Sequence, residues 1–155
     1  MKKFFKAFLA VALCFSLCAC GGAKKTQSTV LTLGDESYLV ETKITAEGDV
    51  VKQMVQTSTI NLTDFDEETI QTLSDSLDSY AEIYEEYESV KYSSDITDKE
   101  FVEVIDIDLT NKEELNALID AGLLPISGDE EEIDFISYDL TVEALKEMGF
   151  EEKAK

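Results

Sequence analysis

The chain has 155 residues and carries 13 basic residues, all lysine, against 34 aspartates and glutamates, for a net charge of −21 and no histidine. Such acidity without arginine excludes ordinary nucleic-acid binding, in which phosphate contacts dominate affinity. The missing histidine removes imidazole metal ligation, histidine-based triads and the usual acid–base group near neutral pH.

The first 20 residues, MKKFFKAFLAVALCFSLCAC, place three lysines before an apolar run from Ala7 to Ala19. A membrane span needs roughly 20 apolar residues. This shorter run, behind a basic start, reads as a secretory signal occupying residues 1–19. The three cysteines, Cys14, Cys18 and Cys20, all fall in this segment. Cys18-Ala-Cys20 lacks the CxxC spacing of zinc and redox sites, and no second ligand pair follows.

Leu17-Cys18-Ala19-Cys20 instead matches a bacterial lipobox. It has a small residue at −1 and a thiol at +1, where diacylglycerol forms a thioether before cleavage between Ala19 and Cys20. Two acyl chains hold a protein at a bilayer, where one holds it only marginally. Residues 20–28 then read as lipid anchor and tether, and residues 29–153 as a single domain. The expected location is the extracytoplasmic face of the bacterial cell membrane, or the outer membrane in a cell that has one. Residues Phe4–Leu17 are expected to form an isolated helix that packs little against the domain. After cleavage the charge is −24, and no thiol remains for catalysis or internal disulfides.

Within the domain, Thr29–Leu33 is a short strand candidate ended by Gly34-Asp35. Tyr38, Val40, Thr42 and Ile44 alternate with Glu41, Lys43 and Thr45, the period of a half-buried strand. Glu47-Gly48-Asp49 is a hairpin signal, and the β-branched run 50–62 follows as a long strand. The period then changes. Ile70, Leu73, Leu77, Tyr80, Ala81, Tyr84 and Tyr87 recur at three- and four-residue spacing, one face of a helix of about 22 residues capped by Asp64 or Asp66. A second hairpin pairs SVKYSS with KEFVEVIDIDLT. A short helix is expected behind a Thr110-x-x-Glu113 capping box, with Gly122 at its end. A last helix is expected behind Thr141, ending at Gly149 in a Schellman arrangement with Phe150 over Leu145. SGDEEEIDFIS between them is ambiguous between loop and short helix. The predicted fold is α+β: an antiparallel sheet of about five strands, as a three-stranded meander plus a hairpin, covered by one long helix with short C-terminal helices.

GDVVKQ at 48–53, the long acidic helix, the hairpin, a final helix ending EMGF and the lipobox together resemble the YehR-like family of small bacterial lipoproteins over roughly residues 36–152. The resemblance implies a lipid-anchored α+β domain outside the cytoplasmic membrane. The family's function is uncharacterised, so it carries over no catalytic residue.

Four groups of side chains invite a chemical reading. Asp106 and Asp108 share one strand face and could face calcium, but an EF-hand reading fails. Asn111 occupies the glycine position of such a loop and Ala117 the bidentate glutamate position. They read as aspartates on a solvated strand. Asp129–Glu132 would be relieved by a divalent cation, yet serve equally as a surface loop. Tyr80, Tyr84 and Tyr87 make a stripe that could hold sugars or peptides, and reads better as the edge of the core. With 34 acids, some carboxylate pair will fall at glycosidase spacing by chance.

No catalytic residue, metal ligand or cofactor is assigned, and Cys20 is the one assigned site, as the point of lipid attachment (palmitate or a similar acyl chain). The function expected is a non-catalytic envelope binding or accessory module. Its partners would be membrane lipid through Cys20 and an unidentified envelope protein or glycan. The alternatives are a carboxylate-dependent cell-wall glycan hydrolase and a weak calcium-binding surface protein.

Overall fold

In the computed structural model, residues 25–124 and 133–153 are described. The signal segment, Cys20 and Asp129–Glu132 lie outside them. Chain order is β1 (Thr26–Gly34), β2 (Tyr38–Glu47), β3 (Val50–Asn61), α1 (Glu67–Tyr84), β4 (Val90–Ile96), β5 (Glu100–Asp108), α2 (Lys112–Asp120), α3 (Tyr138–Glu147) and β6 (Glu151–Glu152). The strands form one antiparallel sheet in the order β4-β5-β3-β2-β1-β6. The α+β architecture, the meander and the hairpin are as expected. The sixth strand is the difference: β6 is two glutamates long, too short and too acidic to show a period.

Local chemistry sets the turns. Gly34 adopts φ 109°, and a Cβ there would fall 1.9 Å from the carbonyl oxygen of Tyr38. Only glycine fits that close approach. Asp35 completes the turn, its carboxylate accepting the Ser37 N–H at 2.8 Å. At the β2–β3 hairpin Gly48 takes φ 61°. Just before this hairpin the register slips between Thr45 and Ala46, so that Thr45 faces Gln53 and Ala46 faces Val51, leaving Lys52 as the extra residue of a bulge.

The helix starts differ in part from expectation. Asp66 caps α1, its carboxylate accepting the Thr69 N–H at 2.8 Å. The helix runs 18 residues rather than 22, and Tyr87 lies beyond its end. Asn111, not Thr110, caps α2, accepting from Glu113 N–H and Glu114 N–H, while Thr110 turns back to Asp108. Ser137, not Thr141, caps α3. The Thr141 hydroxyl donates instead to the Ser137 carbonyl one turn back, at 2.6 Å. Both C-termini follow the glycine signals. Leu123 N–H reaches Leu118 O at 2.9 Å past Gly122, and Phe150 N–H reaches Leu145 O at 3.0 Å past Gly149, the Schellman pattern.

All three helices pack on one face of the sheet, over two separate apolar clusters. The larger joins Leu31, Ile44, Ala46, Val51, Val90 and Ile107 of the strands to Leu115 and Leu118 of α2 and Tyr138 of α3. The smaller joins Leu62, Leu77 and Phe101 under α1. The hairpin turn also clamps α3. Asp49 accepts from the Ser137 hydroxyl and the Asp139 N–H, and Tyr138 N–H donates to the Asp49 carbonyl.

Candidate functional site

Asp106 and Asp108 lie on the open face of β5 at its C-terminal end. Sheet order puts Lys91 of β4 directly opposite Asp106, and Gln53 of β3 opposite Asp108. The bulge adds Lys52. These residues, with Glu88, Ser89 and Thr110, line a cleft of about 430 Å³. Both aspartates already have partners. Gln53 donates through Nε2 to Asp106 Oδ1 at 2.7 Å. Thr110 gives Asp108 Oδ1 both its hydroxyl, at 2.6 Å, and its N–H, at 2.9 Å. The Thr110 hydroxyl is the main cause that holds the Asp108 carboxyl below its ordinary range, followed by the Thr110 N–H, with Lys91 and Lys52 adding to it.

Two ammonium groups beside two engaged carboxylates make a mixed-charge, hydrogen-bonding cleft. It is poorly suited to calcium, which takes six to eight oxygens. No group of three or more metal-ligating side chains occurs among the described residues. Asn111 spends its side chain on the cap of α2. The walls are polar, so this cleft lacks the apolar enclosure that would favour a hydrolase. Sequence reading found the two aspartates and missed Lys52, Lys91, Gln53 and Thr110 as their neighbours. Thr110 reaches Asp108 from two residues along the chain; Lys52, Lys91 and Gln53 arrive only through strand register, which is not written in any local pattern.

The tyrosine stripe divides. Tyr84 and Tyr87 pack against the larger cluster, whereas Tyr80 is 53% exposed. Tyr84 stacks on Tyr92 of β4 with centroids 5.2 Å apart and planes at 17°. Burial is the main cause that raises both phenols above their usual range, and the nearby Glu103 carboxylate adds to it. Along the covered face, register sets Tyr92, Ile105, Gln56 and Thr42 in one row and Ser94, Glu103, Ser58 and Val40 in the next. A polar band thus crosses the sheet between the two apolar clusters. Thr42 is 2% exposed, and its hydroxyl is buried without a hydrogen-bond partner among the described residues. The Tyr92 hydroxyl is buried near Ser94 and Glu103 without reaching hydrogen-bond geometry to either.

The fold and cleft define a small α+β domain with a half-covered antiparallel sheet. Residues 28–151 match the family described as "Protein of unknown function (DUF1307)", and the chain belongs to that family. The NMR structure of the YehR protein of E. coli is similar in fold, with a TM-score of 0.60 and 16% identity, covering 83% of this chain and 91% of that one. An NMR structure of a protein from Streptococcus pneumoniae TIGR4 is similar with a TM-score of 0.53 and 10% identity, covering 88% and 90%. No curated protein matches the chain. The YehR-like resemblance read from the sequence is thereby borne out for family and fold.

Proposed function

We propose that the chain is a lipid-anchored bacterial surface protein whose domain serves as a non-catalytic binding or accessory module of the cell envelope. Leu17-Cys18-Ala19-Cys20, behind a short apolar run and a basic start, is the observation that carries the anchor. Cleavage between Ala19 and Cys20 leaves Cys20 to take the diacylglycerol. The domain then stands on the extracytoplasmic face, where its acidity keeps it soluble and off anionic headgroups. The cleft around Asp106, Asp108, Lys52 and Lys91 is the surface best equipped for a partner. It offers cationic and anionic groups within one small depression, which suits a zwitterionic or hydrogen-bonding group of an envelope protein or glycan.

Cys20→Ala tests the anchor directly. The variant is expected to lose metabolic labelling by a palmitate analogue and to leave the membrane fraction, while persistent labelling would overturn the assignment. For the cleft, Lys52→Ala together with Lys91→Ala should reduce capture of crosslinked envelope partners at least several-fold. Unchanged capture would move the binding surface elsewhere.

A further inference from the structure

β4 is the last strand of the sheet on its side, and among the described residues no strand pairs with its outer edge. Natural edges are blunted by proline, bulges, shortness, a covering element or charged side chains, lysine above all. β4 has neither proline nor bulge: its seven residues, VKYSSDI, pair with β5 in one unbroken register from Val90↔Ile107 to Ile96↔Phe101, and its two charges, Lys91 and Asp95, are of opposite sign, so they repel a like-charged edge but not a second copy of this one. Lys91, Ser93, Ser94 and Asp95 are exposed. Neither Lys91 nor Asp95 forms an ion pair among the described residues.

The bonds at the two ends of the β4–β5 ladder fix which groups face outward. Thr97 N–H donates to Glu100 O at 2.9 Å, and Asp108 N–H donates to Ser89 O at 2.8 Å. Hydrogen-bonded pairs in an antiparallel ladder fall on alternate residues. Ser89, Lys91, Ser93, Asp95 and Thr97 therefore bond toward β5. Tyr92, Ser94 and Ile96 present their N–H and C=O groups to the free edge, together with the Val90 carbonyl. The Val90 N–H is already engaged by Tyr87 O at 3.2 Å.

We propose that this edge pairs with itself: two copies of the chain join β4 to β4 antiparallel about a two-fold axis at Ser93. In that register Tyr92 of each copy exchanges backbone hydrogen bonds with Ser94 of the other, and the Ile96 N–H meets the Val90 carbonyl. The outward-facing groups of Tyr92 and Ser94 are thus all used. Lys91 of one copy stands opposite Asp95 of the other, and the reverse, at positions where cross-strand side chains come closest. Val90 meets Ile96 on the covered face. The strand is complementary to its own reverse about Ser93: apolar ends meet apolar ends, and the cation at Lys91 meets the anion at Asp95. A slip of two residues in either direction keeps the backbone parity but sets Lys91 against Ser93 or Thr97 and breaks both charge pairs. The two-fold is perpendicular to the sheet, so both open faces and both clefts stay on one side of a continuous double-width sheet.

The test uses the full chain in its native envelope, with Ser93→Cys to place thiols at the two-fold and mild oxidation to lock them. Ser28→Cys, exposed on β1 near the far side of the sheet, is the collision control. A covalent dimer at least tenfold above that control is expected. Adding Lys91→Asp should return the yield to the control level, and combining Lys91→Asp with Asp95→Lys should restore it to within about threefold of the Ser93→Cys parent. The proposal is overturned by a Ser93→Cys yield equal to the control. It is equally overturned by crosslinking that ignores the charge reversal, or by a charge swap that fails to restore it.

Discussion

α1 and α2 cover the same sheet in opposite styles. α1 is 18 residues long, yet Leu77 is the one buried side chain among those described on it. α2 has nine residues and buries Leu115 and Leu118 almost completely, at 1% and 0% exposure. The segments around α2 and α3 are also tied by polar clasps: Asn116 to both the N–H and the C=O of Ile133, Glu114 to the Ser89 N–H, and Asp49 to the start of α3. α1 rests on the small cluster of Leu62, Leu77 and Phe101 with partly buried neighbours. Length is therefore a poor guide to what a helix contributes. The short C-terminal helices close the main core, while the long acidic helix lies over one end of the sheet with most of its surface in water. A cooperative unit with less buried apolar area opens at lower free energy, so α1 is the cover expected to loosen first.

Truncation of the two leucines puts the largest expected number on this contrast. Leu118→Ala should cost about 3 kcal/mol and Leu77→Ala about 2 kcal/mol, the ordinary span for buried leucines. Urea titrations of both variants, with hydrogen exchange of α1 and α2, check it. An equal loss, with α1 amides protected as well as α2 amides, would break the contrast. Replacing the caps should give the next effect. Asn111→Ala or Ser137→Ala is expected to lose about 1 kcal/mol, as for other polar N-caps. By the same measure Thr110→Ala and Thr141→Ala should lose less, because neither residue is the cap.

Acid sharpens the comparison most finely. Asp49 is held below the ordinary carboxylate range, first by the Asp139 N–H and then by the Ser137 hydroxyl. A depressed folded value means that the clasp contributes fully above the unfolded value, near about 4, and is lost as pH falls through the folded value. Asp49→Asn should therefore differ from the parent at neutral pH and converge on it as pH falls through the folded value of Asp49. The α3 amides should report the change before those of β2 and β3. A gap that persists undiminished into acid would assign the clasp to shape rather than charge.

Most elements were legible because their periods are plain. Tyr38–Ile44 alternates as a strand, and Ile70–Tyr84 repeats as a helix. The Gly34, Gly48, Gly122 and Gly149 signals fall where positive φ is required. The misses have two causes, distant partners and a local competition for one threonine. Ser137 outranks Thr141 as a cap because Asp49, 88 residues away, turns the chain into α3 there. Asn111 displaces Thr110 because Asp108 claims the threonine. β1 begins at Thr26, ahead of the apolar run, because polar Thr26, Gln27 and Ser28 pair along β2. The first and the last of these outcomes depend on a partner distant in sequence, whereas the exchange of Thr110 for Asn111 is settled between neighbours, Asp108 lying two residues from Thr110. The cleft is legible in the same proportion. Asp106 and Asp108 stand out from their spacing, whereas Lys52 and Lys91 come beside them through a bulge and the β4–β5 register.

The early start of β1 has a mechanical consequence. Thr26 lies six positions after Cys20, and a fully extended chain gains at most about 3.5 Å per residue. With lipid on Cys20, the leash from the bilayer to the folded sheet is therefore only roughly 20 Å long. So anchored, the domain could not reach far from the bilayer. On the proposed anchor it would meet only what comes to the membrane surface, a thin layer that it would share with other copies of itself.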